Sequence, residues 1–378
     1  MIPEKLFILD CMRAFIHETV VSPAWNERSL STLNWNLVIR TGQKGRVLPF
    51  LVHTFEKEEY SRFFSKEDQL EWEGLLIYSE WENQKKLKEF KKIKDLFELN
   101  SIPLIPLKGI ALSHLVYDRT PYRLMSDIDV LIHKSDLQKT QDILSAEGFV
   151  LREPKNRWQA KPTMKIIGRW DFMKDQMNLD LQWAPRFFIE NQWVPWGGEE
   201  VWQRAESFKS LGENVFMLST PDQAQYLLFQ ILNDMEINYI YVSQLLDLAL
   251  VMKKYRLTHD QILGTARTLS ASLQAKLTDF LQNVETCFFG DQFVEKAACF
   301  VDLFFESSRE LRHDFALKQI LRFIQSPWER TLFLIGYFVP SKSLLREKKS
   351  FNFFSMLAFF LDHWKKQCLS LFRVLLKQ

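Results

Sequence analysis

The segment Ser126-Asp127-Ile128-Asp129-Val130-Leu131 places two carboxylates two residues apart in an alternating polar and apolar run. Such alternation reads as a half-buried strand over 127–132, and in a strand residues i and i+2 share a face. Asp127 and Asp129 therefore point together, while Ile128 and Val130 point into the core. Adjacent carboxylates repel each other and resist desolvation. A divalent cation relieves that repulsion, and Mg²⁺ favours one or two carboxylates together with phosphate oxygens and water. Leu179-Asp180-Leu181-Gln182-Trp183 has the same alternation, with Asp180 and Gln182 on one face. If the two strands are neighbours, Asp180 completes a three-carboxylate cluster. Such a cluster could hold two Mg²⁺ (or Mn²⁺) ions roughly 3.5–4 Å apart for an in-line phosphoryl displacement. One ion would position a triphosphate. The other, with Asp180, would lower the pKa of an acceptor hydroxyl.

An anion-binding element stands upstream. Lys108-Gly109 follows the short apolar run 102–107 and opens a helix over 111–117. A helix start presents free N–H groups to an anion, and glycine permits close backbone approach. Arg119 and Arg123 fall in the loop before Asp127, where guanidinium groups could grip phosphates. Lys108, Gly109, Arg123 and Ser126 are thus the candidate phosphate ligands. The bland alternatives are an acidic pair held by loop amides, and two surface arginines with no ligand.

The elements that must position these residues are mostly helical. Amphipathic helices are expected over 4–19, 31–42 and, at greater length, 67–98, whose mixed charge reads as a solvated face. Strands are expected at 102–107, 127–132, 149–151, 164–173 and 177–183, the last two forming a hairpin around 174–176. A helix over 137–147 ends at Gly148, a residue suited to the left-handed position after a helix. Ser219-Thr220-Pro221-Asp222 reads as a capped helix start. Amphipathic helices follow at 226–235, 242–254, 273–284 and 294–307. The order of elements predicts an α/β or α+β unit within helical flanks.

Composition agrees. The chain has 378 residues but 12 glycines and 13 prolines, where average usage of about 7% would give roughly 26 glycines. An all-β sandwich or barrel needs turn residues every 8–12 positions or so. No GxGxxG and no GxxxxGK[ST] occurs, which removes the glycine-rich phosphate cradles. The net charge of +2 gives no global nucleic-acid field. The four cysteines, Cys11, Cys287, Cys299 and Cys368, form no CxxC pair and read as reduced thiols of a cytosolic protein. Charges at Glu4, Lys5 and Asp10 interrupt any signal-peptide core. No apolar run reaches the roughly 18 residues of a membrane span.

The segment from Pro103 to Phe149 resembles the family described as uncharacterised nucleotidyltransferases, within the DNA polymerase beta-like superfamily. The resemblance rests on Lys108, Gly109, Tyr117, Arg123, Asp127, Asp129, Leu144, Gly148 and Phe149. Residues 35–55 are similar to the family's N-terminal helical segment, and 242–251, with Asp247, to a later helix. The resemblance implies an α+β fold: a nucleotidyltransferase core with a small mixed sheet and flanking helices. It implies a helical region over 1–95, the catalytic core over 96–185 and a helical region over 186–260 packing on it. The resemblance covers about residues 30–255 and does not reach 261–378, where the sequence pattern itself predicts a C-terminal helical region, basic and aromatic-rich at its end. The implied activity is Mg²⁺-dependent transfer of a nucleoside monophosphate from an NTP to an acceptor. Two residues depart from the pattern. Ile110 stands where a glycine or serine is common, and Gln182 stands where the third-carboxylate strand commonly carries histidine. A non-catalytic nucleotide-binding or partner-binding module with the same fold is the alternative.

Other residues carry weaker signals. The seven histidines show no HxH or HxxxH spacing, and His114 alone falls near the expected site. Asp247 reads as a helix-packing partner rather than a further metal ligand. Tyr117 and Trp183 could stack on a base, or pack in the core. Residues 342–378 carry a net +6 with interleaved apolar clusters. That is the pattern of a helix docked on the protein with a solvated basic face, or of one lying on an anionic membrane surface. The low overall charge favours a small-molecule or protein acceptor over a long nucleic acid.

Overall fold

Ile128, Val130, Leu179 and Leu181 lie on one side of their strands, and all four are fully buried. Burying that side assembles the centre of the molecule. The computed structural model describes residues 2–117, 119, 122–152, 168–190, 192–236, 240–264, 269–290, 300, 301 and 303–305. The first four residues of the strand expected over 164–173 and most of the helix expected over 294–307 lie outside them, as do Cys299, Cys368 and the basic segment 342–378.

Helices α1 (Pro3–His17), α2 (Glu27–Ser31), α3 (Trp35–Lys44) and α4 (Leu48–Lys57) lead into the long α5 (Lys66–Leu99). Then come β1 (Leu104–Pro106), α6 (Lys108–Leu115), β2 (Ile128–Ile132), α7 (Leu137–Ala146) and β3 (Val150–Leu151). β4 (Arg169–Lys174), β5 (Met177–Gln182), β6 (Arg186–Ile189) and β7 (Gln192–Pro195) follow. The chain continues through α8 (Glu199–Arg204), β8 (Glu206–Ser207), β9 (Phe216–Met217) and α9 (Thr220–Glu236). It closes with α10 (Val242–Tyr255), α11 (His259–Leu263) and α12 (Ala271–Phe288).

The helix expected over 31–42 is α3, which starts later, at Trp35, after the separate short α2; Asn26 and Asn34 cap the two, their side chains accepting from the Ser29 and Leu37 N–H groups. The helix expected to begin at 111 begins at Lys108. The hairpins β6–β7 and β8–β9 were not expected from the sequence.

α5 starts at a capping box. Ser65 Oγ accepts from the Asp68 N–H, and Asp68 accepts from the Ser65 N–H, both at 3.1 Å. Because Ser65 is exposed, Ser65→Ala is expected to cost about 1 kcal/mol. A shift in the urea midpoint would measure it; no shift would mean that tertiary packing alone sets this helix start.

The main sheet is mixed, in the order β1-β2-β5-β4-β3. β2 runs parallel to β5, and the other neighbours are antiparallel. Asp175 and Gln176 close the β4–β5 hairpin with φ of 47° and 66°, the signature of a two-residue turn that matches strand twist. One face of the sheet packs Ile128, Val130, Phe172, Leu179 and Leu181 against Phe90, Ile93 and Phe97 of α5. A second, larger core joins α1, α3 and α4 to α9, α10 and α12. Between the two cores lies the polar face of the sheet. No helix among the described residues is long and apolar enough to cross a membrane.

Candidate active site

The parallel pairing of β2 with β5 sets Asp129 directly opposite Asp180, and the β4–β5 hairpin sets Asp171 opposite Asp180. Strand neighbours in register present their side chains to the same face. One row across the sheet therefore carries three carboxylates, and Asp127 joins them one pleat before Asp129. This is the three-carboxylate arrangement expected from the sequence, with Asp171 added to it.

A cavity of about 420 Å³ lies over this row. Lys108, Ser126, Asp127 and Asp180 line it from the sheet side, with Arg169 and Asp171 from β4. Gln230, Asn233 and Asp234 of α9 line it from the helical side, as do Tyr241, Ser243 and Gln244 around the start of α10. Asp129 sits beneath the wall at 1% exposure.

Lys108 occupies the step from β1 into α6 with φ 43°, a strained backbone for a side chain other than glycine. That step places its ammonium 2.5 Å from Asp129 Oδ1. Burial pushes the Asp129 carboxyl well above the usual carboxylate range, and the charge of Asp127 adds to the effect. Burial alone would lower the Lys108 ammonium, but Asp129 and the other nearby negative groups raise it well above its ordinary value. Burial leads the Asp129 shift, whereas the surplus of negative charge around a single ammonium drives the Lys108 shift. Burial also works to raise Asp127, but Lys108, the Ser126 hydroxyl at 2.7 Å, Arg123 and Arg46 hold it below the usual range.

Gln182 links the carboxylates. Its amide N–H₂ donates to Asp180 Oδ2 (3.0 Å) and Asp129 Oδ1 (3.4 Å), and its carbonyl accepts from the Tyr226 hydroxyl (3.1 Å). An amide there can position carboxylates but cannot shuttle a proton.

Arg123 lies on the cavity wall, but its Nε donates to both oxygens of buried Asp247, at 3.0 and 2.9 Å. Tyr117 donates to the same carboxylate at 2.7 Å. Asp247 is thus a packing partner, as expected, and Tyr117 is buried away from the cavity wall. Asn83 of α5 fixes the loop before β2, donating to the Arg123 carbonyl and accepting from the Met125 N–H, each at 2.9 Å.

Gly109 has a steric task in addition to the close phosphate approach expected of it. A Cβ there would stand 2.6 Å from Met125 Cγ and 2.7 Å from Arg123 Nη1. The glycine makes room for this loop as well as for any ligand. Gly109→Ala is expected to cost about 1–3 kcal/mol through overpacking, read as a lower melting temperature. An unchanged melting temperature would show that the loop yields freely. Ile110 is fully buried in the sheet core. Arg119 bonds the Tyr122 hydroxyl, His114 stands beside Phe208 and Trp183 packs on Trp170. None of these three lines the cavity.

Among the described residues no three His, Cys, Asp or Glu side chains converge into a ready-made metal cage. The donor chemistry nevertheless fits a divalent cation. Asp127, Asp129 and Asp180 offer hard carboxylate oxygens of the kind Mg²⁺ takes. Asp180 Oδ1 is buried with no hydrogen-bond partner, an arrangement that is costly unless a ligand completes it.

A family model described as "Uncharacterised nucleotidyltransferase" matches residues 31–283, more than half of the chain. No curated protein matches the chain. Among solved structures, the antibiotic-resistance factor ANT(2'')-Ia is similar at a TM-score of 0.35 and 11% identity, over 53% of this chain and 97% of that one. The Megavirus polyadenylate synthase is similar at a TM-score of 0.32 and 14% identity, over 53% of this chain and 38% of that one.

Proposed function

The chain belongs to the uncharacterised nucleotidyltransferase family, and on that premise we propose that it is an enzyme moving a nucleoside monophosphate from an NTP to an acceptor hydroxyl or phosphate. The observation that carries this reading is the in-register row of Asp129 and Asp180, flanked by Asp127 and by Lys108 at a helix start. Asp127, Asp129 and Asp180 would hold Mg²⁺ or Mn²⁺, which when bound neutralises phosphate charge and lowers the pKa of an acceptor hydroxyl.

The chain's own groups do the rest. The Lys108 ammonium and the backbone N–H groups at the start of α6 hold phosphate oxygens. The acceptor oxygen attacks the α-phosphorus, the bond from that phosphorus to the bridging oxygen breaks, and pyrophosphate leaves with the electron pair. Asp180 helps take the acceptor's proton. Gln182 holds Asp180 and Asp129 in place without entering the proton transfer. A cavity of about 420 Å³ suits an acceptor that is a small molecule or a single protein side chain.

Ile110 and Gln182 favour a second reading, a module that binds nucleotide without turning it over. Incubation with each of the four NTPs, with Mg²⁺ and then Mn²⁺, followed by mass spectrometry of protein and products, separates the two. Pyrophosphate and a nucleotidylated product support catalysis. Nucleotide-dependent thermal stabilisation without pyrophosphate supports the binding module.

A further inference from the structure

Five cations line the cavity: Arg46, Lys108, Arg123, Arg152 and Arg169. Three are already paired, Lys108 with Asp129, Arg123 with Asp247 (2.9 Å) and Arg169 with Asp180 (3.6 Å). Arg152 stands exposed at the sheet edge, 3.4 Å from Asn178 Oδ1. Arg46 differs from all of them. It comes from the turn between α3 and α4, is half-buried, and makes no ion pair among the described residues, although its charge reaches Asp127.

Its mounting is specific. The Gly45 carbonyl accepts from the Ser243 N–H at 3.1 Å, which ties the turn to the start of α10. Arg46 takes φ 58°, a strained backbone for arginine. Its guanidinium lies 3.9 Å from the centre of the Tyr241 ring, and Nη2 donates to the Tyr241 hydroxyl at 3.2 Å. A guanidinium has five N–H donors, and its planar fork matches the oxygens of a phosphate. Ser243, also on the wall, adds a hydroxyl with no hydrogen-bond partner among the described residues.

We propose that Arg46, mounted on Tyr241, is a phosphate-gripping residue of the nucleotide site and takes the β- or γ-phosphate of a bound nucleoside triphosphate. This rests on the nucleotidyl-transfer reading. It moves to Arg46 the phosphate contact that the sequence assigns to Arg123, whose Nε is committed to Asp247. The N-terminal helices then complete the site rather than merely covering it.

The test uses the full chain, Mg²⁺ and the four α,β-methylene NTP analogues in calorimetry. The tightest analogue is compared with its nucleoside. Arg46→Gln is expected to weaken the triphosphate analogue about 10–100-fold, the range for losing a charge-assisted hydrogen bond, with nucleoside affinity unchanged. Arg46→Lys, which keeps the charge but not the fork, should recover part of the loss. Tyr241→Phe should give a smaller loss of the same kind. Unchanged triphosphate affinity in a folded Arg46→Gln protein overturns the proposal, as does an equal loss for the nucleoside, which marks a wall residue. Should Arg46→Gln not fold, full triphosphate affinity in both Arg46→Lys and Tyr241→Phe overturns it. If the unmodified protein binds none of the analogues, the nucleotidyl-transfer reading falls with it. If the protein binds one and Arg46→Gln binds it equally, only the Arg46 assignment falls.

Discussion

Asp127→Asn is expected to lower Mg²⁺-dependent NTP turnover by about 10³-fold while leaving the unfolding midpoint almost unchanged. Charge stabilisation by a bound cation contributes several kcal/mol to such a transition state. About 4 kcal/mol corresponds to about 10³ in rate. Stability should survive because Asp127 is only partly buried and its hydrogen bond is to the neighbouring Ser126 hydroxyl. Asparagine keeps the shape and an acceptor oxygen. Asp129→Asn is a poorer probe, since it removes the charge that Lys108 faces in the interior. Steady-state turnover beside a urea melt checks the prediction. Full activity in a folded Asp127→Asn protein would remove this carboxylate from the site.

Asp247→Ala is expected to be the most destabilising of the substitutions considered, by about 3–5 kcal/mol. Asp247 is 1% exposed and holds Arg123 Nε through both oxygens, with the Tyr117 hydroxyl as a second donor. Removing one partner of a buried ion pair leaves the other charge uncompensated, and that is where the cost arises. Replacing both charges by apolar side chains, Arg123→Met with Asp247→Leu, should restore much of the loss. The urea midpoints of the single and double variants test this. A loss under about 1 kcal/mol for Asp247→Ala would mean that Arg123 finds water or another partner cheaply.

The site was partly legible because strand alternation carries information about faces. Asp127, Asp129, Asp180 and Gln182 could be assigned to one side of their strands from period-two patterning alone. The parallel neighbour relation of β2 and β5 could not, because it joins segments some 50 residues apart. Asp171 was within reach. Counting outward from the turn at Asp175 and Gln176 pairs Lys174 with Met177 and Asp171 with Asp180, so the hairpin already implied this carboxylate.

Arg46, Tyr226 and Asp234 had no such signal. Arg46 reaches the cavity because a turn in the N-terminal helices is tied to α10, a contact across about 200 residues of chain. The paired state of Arg123 was hidden for the same reason, since Asp247 arrives from that same distant helix. The late start of the 31–42 helix was local, and Asn34 just ahead of Trp35 was the overlooked capping residue.

The central claim is that the α-phosphorus of an NTP is transferred at the carboxylate row. Supplying NTPs labelled at the α- or the γ-phosphate, with Mg²⁺ and a cell extract as the source of acceptor, tests it most directly. The expected result is α-label in a covalent product and γ-label in pyrophosphate, both lost in Asp127→Asn. Transfer of γ-label to the product, or α-label incorporation equal in Asp127→Asn and unmodified protein, would contradict it.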